Sequence, residues 1–215
     1  DMPKAPRLFH ASSSEVFGEP TTVPQDETTP FAPINPYGCA KAFATQMVTV
    51  YRRAFGLFGC NGIMFNHESP RRGENFVTRK ICQAAAAIKL GRQSELRLGD
   101  TTAQRDWGDA RDYVKGMWLT LQGDHPDDYV FATGQLHSVG DIVQHAFSTL
   151  GLDPAHHVKQ DPRFLRKMEP QRLVGNAAKA IKTLHWHPET KFEDLIGEMT
   201  HHELDVLTGK PESNP

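Results

Sequence analysis

Tyr37 and Lys41 are the residues of this sequence whose types and spacing most directly suggest proton-transfer chemistry. They form the pattern Tyr-x-x-x-Lys directly after Pro36, and proline suits the first turn of a helix, so both side chains should lie on one helical face. An ammonium group beside a phenol favours the phenolate, which can act as a general base. The spacing alone also fits an ordinary surface pair, because many helices carry a tyrosine and a lysine four residues apart.

A second polar group precedes this pair in the sequence. The strand-like run Arg7–Ser12 is followed by Ser13, Ser14 and Glu15, and active groups of doubly wound sheets lie at the carboxyl ends of strands. A hydroxyl there can bond a substrate hydroxyl, and a carboxylate can take or give a proton. A helix cap or polar turn explains the serines alone, but Ser-x-Glu followed in the same loop-to-helix segment by Tyr-x-x-x-Lys favours one joint site.

Patterns of strand and helix alternate along the rest of the chain. Strands are predicted at Arg7–Ser12, Cys60–Asn66, Glu95–Leu98 and Tyr129–Thr133. Helices are predicted from Pro36 to about Phe55, at Phe76–Leu90, Asp109–Gln122, Val139–Leu150 and Asn176–Leu184, and in a final amphipathic segment with Phe192, Leu195, Ile196, Met199 and Leu207 on one face. This alternation predicts an α/β fold with a parallel sheet flanked by helices.

Gly56, Gly59 and Gly62 spell G-x-x-G-x-x-G, which superficially resembles a dinucleotide-binding loop. Such a loop must follow a strand and open a helix, so that the helix N-terminus faces the pyrophosphate. Here a predicted helix precedes the glycines and a predicted strand follows them. The motif therefore predicts a helix-to-strand turn.

Composition excludes several classes of function. The 215 residues carry a net charge of −2 with 38% hydrophobic and 23% charged residues, so no basic excess indicates nucleic acid, and bound phosphates need local clusters of Arg and Lys. The apolar stretches are shorter than the ~20 residues that span a bilayer.

Cys39, Cys60 and Cys82 are predicted to be small buried residues in a reducing compartment. We expect a cytoplasmic protein with no membrane partner and no metal site, since the histidine pairs near 185–187 and 201–202 lack further ligands.

The segments FHASSSEVFGE, NPYGCAK, NGIMFNHESPRRGENFVTRKI and RDWGDARDYV resemble the extended short-chain dehydrogenase/reductase family and, within it, the GDP-mannose 4,6-dehydratases. The Ser, Tyr and Lys pattern is common to many members, whereas NHESPRRGENFVTRK is much more specific to these dehydratases. The resemblance covers essentially the whole chain but only the latter two thirds of the family's usual length, without the N-terminal glycine-rich part. It implies the C-terminal portion of a doubly wound Rossmann-type sheet (residues 1–66 and 109–134) and a smaller substrate-binding domain (67–108 and 135–215).

The resemblance also implies roles for individual residues. The catalytic set is Ser13 (where the family has threonine), Glu15, Tyr37 and Lys41. Cofactor contacts fall on Lys41, which grips the nicotinamide ribose, and on His67 and Arg72. Substrate contacts fall on Asn66, Val77, Lys80, Arg105, Arg166 and Glu169.

The activity implied by the resemblance is conversion of GDP-mannose to GDP-4-keto-6-deoxymannose by internal hydride transfer through NADP, in a homo-oligomer (dimer or tetramer). Glu15 favours this reaction over a plain reduction, which needs no carboxylate for elimination. A GDP-sugar reductase or epimerase of the same fold and a truncated non-catalytic remnant remain alternatives, and the sugar is either mannose or a heptose.

Overall fold

A computed structural model describes residues 6–164 and 173–210, and its strands and helices alternate as predicted. The strands are β1 (Leu8–Ala11), β2 (Gly59–Met64), β3 (Asn66–Glu68), β4 (Leu96–Leu98), β5 (Gln104–Arg105), β6 (Trp107–Asp109), β7 (Asp128–Phe131), β8 (His137–Ser138) and β9 (Val158–Gln160). The helices are α1 (Pro36–Phe55), α2 (Val77–Lys89), α3 (Ala110–Thr120), α4 (Val139–Thr149), α5 (Ala178–Leu184) and α6 (Phe192–Thr208). Among the described residues, no helix is both long enough and apolar enough to cross a membrane.

Strands β1, β2 and β7 form one parallel sheet in that order. Phe9 lies opposite Cys60 and Met64 lies opposite Phe131, which fixes the register of both pairs. All six residues of β2 are buried, as expected for the central strand of a parallel sheet that is covered on both faces. The predicted parallel sheet is therefore confirmed, and it joins the strands predicted at Arg7–Ser12, Cys60–Asn66 and Tyr129–Thr133.

Alternation along β2 sends neighbouring side chains into two different apolar clusters. Ile63 belongs to a cluster with Val16, Phe17, Phe65, Val130, Ala132 and Leu173, against which Ala42 of α1 packs. Met64 belongs to a cluster with Tyr113, Tyr129, Phe131, Ala177, Ala180 and Trp186. Helix α1 thus covers one face of the sheet, while α3 and α5 cover the other.

The long loop between β1 and α1 is held against the outer strand β7. A carboxylate oxygen of Glu27 accepts the backbone N–H of Val130 at 2.7 Å, and the Gln25 side chain accepts the N–H of Val174 at 3.0 Å. Burial raises the pKa of Glu27, and the hydrogen bond from Val130 opposes this rise. These contacts give the strand edge a partner and fix the segment that leads into α1.

The ends of α1 follow from its sequence. Asn35 is the N-cap, with its side-chain oxygen accepting the N–H of Gly38 at 2.8 Å, and Pro36 occupies the first helical position. Gly56 ends the helix in the left-handed region with φ of 66°. Gly59 then begins β2, so the glycine motif is the predicted helix-to-strand turn.

The part of the chain that the structure describes divides into two compact units. The sheet unit comprises Asp1–His67, Arg105–Leu136 and Pro170–Glu189, and the helical unit comprises Glu68–Gln104, His137–Glu169 and Thr190–Pro215. Residues 173–189 belong to the sheet unit, and the domain boundaries that the resemblance implies stay a prediction. Which ligand each domain binds stays a prediction.

The helical unit is built on α2, α4 and α6, which pack on one another. Its core residues include Ile81, Ala85, Ile142, Phe147, Leu195 and Ile196. Arg79 of α2 pairs with the buried Glu203 of α6 at 2.7 Å, and β4 pairs in parallel with β9. The amphipathic pattern of α6 is thereby explained by two helical neighbours in the same unit.

The three cysteines differ in exposure, and the prediction that all are buried was wrong for Cys39. Cys39 is exposed on the first turns of α1, whereas Cys60 and Cys82 are buried. The side of α1 that faces the sheet is set by Gly38 and Thr45, which turns Cys39 outward. Burial raises the pKa of Cys60, and it raises the pKa of Cys82 to about 12.

Alkylation with iodoacetamide at neutral pH should therefore modify the folded protein once, on Cys39, because only an accessible thiolate reacts. Peptide mass mapping identifies the modified residue, and the same protein unfolded in urea provides the control, in which all three thiols are expected to react. Rapid modification of Cys82 in the folded protein would contradict the packing of α2.

Candidate active site

Ser13 follows β1 at its carboxyl end and caps a short 3₁₀ turn, Ser14–Val16. Its Oγ accepts the backbone N–H of Glu15 at 3.2 Å. A hydroxyl that accepts one hydrogen bond still has its own proton to donate. Ser13 is half-buried, so the capping contact fixes its oxygen while leaving the proton for another acceptor.

Ser12 links the end of β1 to α1. Its buried Oγ lies 2.6 Å from Oγ1 of Thr45. Because Oγ1 of Thr45 already donates to the carbonyl of Lys41 at 2.8 Å, the proton between the two hydroxyls comes from Ser12. This chain of bonds fixes the third turn of α1 against the strand end.

Lys41 makes a second link at the same place. Its Nζ donates to the carbonyl of Ala11, the last residue of β1, at 2.8 Å, and lies 5.6 Å from the centre of the Tyr37 ring. An ammonium group has three N–H donors, so two remain after the bond to Ala11. The Tyr37 side chain above it is exposed, with 56% of its surface accessible.

Glu15 is held by the residue that caps α1. Its Oε2 accepts the side-chain N–H of Asn35 at 2.7 Å. Its other carboxylate oxygen has no hydrogen-bond partner within the described parts of the chain. The carboxylate is thus fixed through one oxygen while the other stays available.

Gly38 lets the first turn of α1 approach the backbone of Glu15. A Cβ atom at Gly38 would lie 2.5 Å from the carbonyl oxygen of Glu15 and 3.0 Å from Cβ of Pro33. The 2.5 Å distance is too short for a Cβ atom without a backbone shift, because the carbonyl oxygen of Glu15 belongs to the main chain. The close approach of α1 to the 3₁₀ turn therefore requires glycine at this position.

His10 lies in β1 beside Lys41 and was not singled out by its sequence pattern. Burial, and secondarily the positive charge of Lys41, lower the pKa of His10. The imidazole is therefore neutral at pH 7 and adds no competing charge near the ammonium group. Its buried Nε2 has no hydrogen-bond partner among residues 6–164 and 173–210.

Three more predicted site residues lie in the sheet unit, namely Asn66, His67 and Arg105. Asn66 and His67 are half-buried at the start of β3, and Arg105 is buried. The Nδ1 of His67 donates to the carbonyl of Phe65 at 2.8 Å, since a carbonyl only accepts. Its ring stacks on Tyr113 with centres 5.1 Å apart, so the ring is oriented from two sides.

Arg72, Val77 and Lys80 lie in the helical unit. Arg72 forms an ion pair with buried Glu68, Nε to Oε2 at 3.1 Å, and its guanidinium lies 3.5 Å from the centre of the Phe76 ring. Val77 begins α2 and is half-buried. The Nζ of Lys80 donates to the carbonyl of Arg97 at 3.1 Å. Their predicted ligand contacts stay predictions, and Arg166 and Glu169 lie outside the described residues.

The sheet unit therefore gathers a hydroxyl, a carboxylate, a phenol and an ammonium group around the carboxyl end of β1. These come from Ser13, Glu15, Tyr37 and Lys41. A carboxylate and a phenol next to an ammonium group can move two different protons of one substrate. Within the described residues, no group of three or more His, Cys, Asp or Glu side chains is arranged to hold a metal ion.

Solved structures define the class to which this fold belongs. RMD from Pseudomonas aeruginosa complexed with NADPH superposes with a TM-score of 0.87 at 21% identity, covering 95% of this chain and 68% of that one. DesIV, a dTDP-glucose 4,6-dehydratase from Streptomyces venezuelae with NAD and TYD bound, gives 0.82 at 22% identity, covering 95% and 62%. The fold is the Rossmann type found in these proteins, which confirms the predicted fold class.

Sequence comparison narrows the class to a family. The family model described as GDP-mannose 4,6 dehydratase matches residues 1–199. GDP-mannose 4,6 dehydratase 1 of Arabidopsis thaliana is 48% identical over 206 residues, which are 96% of this chain and 57% of that protein. The human GDP-mannose 4,6 dehydratase is 42% identical over 95% of this chain and 60% of its own length. The chain belongs to the GDP-mannose 4,6-dehydratase family and spans little more than half the length of these relatives.

Two residues of the site, Asn35 and Gly38, were missed by sequence reasoning. A signal for Asn35 was present, because asparagine directly before a proline at the first helical position is a strong N-cap pattern. Nothing in the sequence indicated its hydrogen bond to Glu15, since the two residues are far apart in the chain. Gly38 gave no signal either, because its need for glycine arises from a tertiary contact.

Gly38→Ala should lower the free energy of unfolding by about 1–3 kcal/mol, because the added methyl group overpacks a backbone contact. Gly197→Ala is the matched control: it also lies in a helix, and its Cβ would meet only Oγ1 of Thr149 at 3.8 Å. The control should be neutral or stabilise by up to about 1 kcal/mol. Urea unfolding followed by circular dichroism measures both, and equal effects would contradict the close approach at Gly38.

Proposed function

We propose that the full-length protein is a GDP-mannose 4,6-dehydratase that uses NADP. In the overall reaction the C4 alcohol of the mannose becomes a ketone, C6 loses its hydroxyl as water, and C6 gains the hydrogen that C4 gives up. The proposal is carried by one observation: the Glu15 carboxylate is fixed beside the first turn of the helix that bears Tyr37 and Lys41. It is supported by identities of 42–48% to relatives of that name.

The residues around Lys41 fit a nicotinamide dinucleotide. When bound, that cofactor supplies the hydride acceptor and donor of the reaction. Lys41 keeps two N–H donors beyond its bond to Ala11, which suits the two hydroxyls of a ribose. We assign His67 and Arg72 as further contacts, and the oriented ring of His67 supports this role. Both nicotinamide dinucleotides occur among the structural neighbours, NADPH in RMD and NAD in DesIV, and we assign NADP because the family resemblance implies it.

Tyr37 acts as the base for the C4 hydroxyl in this proposal. The ammonium group of Lys41 lies 5.6 Å from the centre of its ring. The Ser13 hydroxyl donates a hydrogen bond to the oxygen at C4, since its Oγ already accepts from Glu15. Together the two residues hold the oxygen at which charge develops.

Glu15 handles the other two protons. A ketone at C4 makes the hydrogen at C5 acidic, and the unpaired oxygen of the Glu15 carboxylate takes it as a proton. The same carboxyl group then gives a proton to the C6 hydroxyl, which leaves as water, so Glu15 ends as a carboxylate again. When C6 gains its hydrogen, C5 regains a proton from solvent, and Tyr37 releases to solvent the proton that it took from the C4 hydroxyl. A reductase or an epimerase has no elimination step, which is why Glu15 supports a dehydratase.

The nucleotide part of the substrate is assigned to the residues that the resemblance implies. They are Asn66, Val77, Lys80, Arg105, Arg166 and Glu169. The chain has a net charge of −2, so its cations must be concentrated locally to hold a diphosphate. We place the working protein in the cytoplasm as a homo-oligomer, with mannose rather than a heptose as the sugar.

Glu15→Gln in the full-length protein should reduce formation of the 4-keto-6-deoxy product by about 10²–10⁴-fold, because the base for the C5 proton is lost. Binding of GDP-mannose, measured by calorimetry, should be retained, because the side chain keeps its size. Incorporation of deuterium from solvent at C5 should fall with product formation. Glu19→Gln, at an exposed position of the following turn, is the control and should behave as wild type. A Glu15→Gln variant with wild-type turnover would rule out the mechanism.

A further inference from the structure

Asn35 makes two contacts with one amide group, and both concern the catalytic elements. Its Oδ1 accepts the N–H of Gly38 and caps α1, while its Nδ2 donates to Oε2 of Glu15. We propose that Asn35 is a positioning residue for Glu15, which it orients so that Oε1 is the oxygen that exchanges protons with the substrate. This inference rests on the proposed function of Glu15.

The orientation of the Asn35 amide is fixed by chemistry. Gly38 presents an N–H at 2.8 Å, which requires the amide oxygen, and Glu15 presents a carboxylate oxygen at 2.7 Å, which requires the amide nitrogen. Rotating the amide by half a turn would put two donors together at one end and two acceptors together at the other. Only one orientation satisfies both partners, so the cap and the carboxylate are coupled.

The backbone around this link is equally constrained. Ala32 donates to the carbonyl of Val16 at 3.0 Å, and Gly38 approaches the carbonyl of Glu15 so closely that no side chain fits. The Glu15 backbone is therefore fixed against the segment that begins α1. What remains to be fixed is the carboxylate, and the Asn35 amide is the only described side chain that bonds it.

The hydrogen bond from Asn35 determines which carboxylate oxygen of Glu15 can exchange protons with the substrate. Because Oε2 is occupied by Asn35, proton transfer falls to Oε1, and the side-chain rotation that would exchange them costs a charge-assisted hydrogen bond. Without Asn35 the carboxylate can still accept a proton but is no longer held in one orientation. Asn35 therefore contributes to turnover and not to substrate affinity.

Asn35→Ser and Asn35→Asp separate the two contacts. Both replacements are good N-caps, but serine is too short to reach Glu15 and aspartate presents a second carboxylate to it. In the full-length protein, both should lower kcat for dehydration by about 10–100-fold, as expected for a misplaced catalytic group, with KM for GDP-mannose within twofold and the melting temperature kept. Asn35→Ala removes the cap as well and should also lower the melting temperature.

Two further measurements test whether Asn35 acts through Glu15. In the Glu15→Gln background, Asn35→Ser should cause no additional loss of kcat, since the group that it orients is already inactive. Independently of activity, the side-chain amide resonances of Asn35 in ¹⁵N-labelled protein should shift on Glu15→Ala and not on Glu19→Ala. A protein that shows the shift but no dehydration would refute the proposed function and leave the link intact.

The inference is overturned if both Asn35→Ser and Asn35→Asp keep the wild-type kcat. It is equally overturned if Asn35→Ser lowers kcat by the same factor in the Glu15→Gln background as in the wild-type protein. It is also overturned if the loss of kcat follows the loss of melting temperature across the three variants, because Asn35 would then act only as a helix cap. An Asn35 amide resonance that is unchanged by Glu15→Ala contradicts the hydrogen bond itself.

Discussion

The approach of α1 to the carboxyl end of β1 is the contact on which the site depends. Lys41 bonds the last carbonyl of β1, Ser12 bonds Thr45 one turn further along the helix, and Gly38 leaves room at the helix start. These contacts fix both the rotation and the height of α1 on the sheet. The phenol of Tyr37 and the ammonium group of Lys41 thereby acquire positions relative to Ser13 and Glu15 that helical spacing alone does not provide.

Much of the fold was predictable because the sequence marks its element ends clearly. Pro36 and Gly56 bound α1, and the order of strand and helix patterns predicted the parallel sheet that β1, β2 and β7 form. Among the strands of two or three residues, β4 was predicted, whereas β5 and β6 were not. Such segments are too short for a periodic pattern, and they exist only through pairing partners that are distant in sequence.

The residues of the candidate site were predicted from the sequence, but the contacts that hold them in place were not. Spacing and resemblance identified Ser13, Glu15, Tyr37 and Lys41, and the structure brings their elements together in the sheet unit. The hydrogen bond of Asn35 to Glu15, the close contact at Gly38 and the ion pair of Arg72 with Glu68 were not predictable. Each depends on distances between residues that the sequence pattern does not relate. The cofactor and substrate contacts rest on resemblance and stay predictions.

In the proposed mechanism, one set of residues serves oxidation at C4 and elimination across C5 and C6. Its most direct test is to incubate the full-length protein with GDP-mannose that carries deuterium at C4 and to locate the label in the product by NMR. The proposed mechanism predicts a 4-keto-6-deoxy sugar with the deuterium at C6. Deuterium that remains at C4 of an epimerised sugar, or a sugar that keeps its C6 hydroxyl, would contradict it.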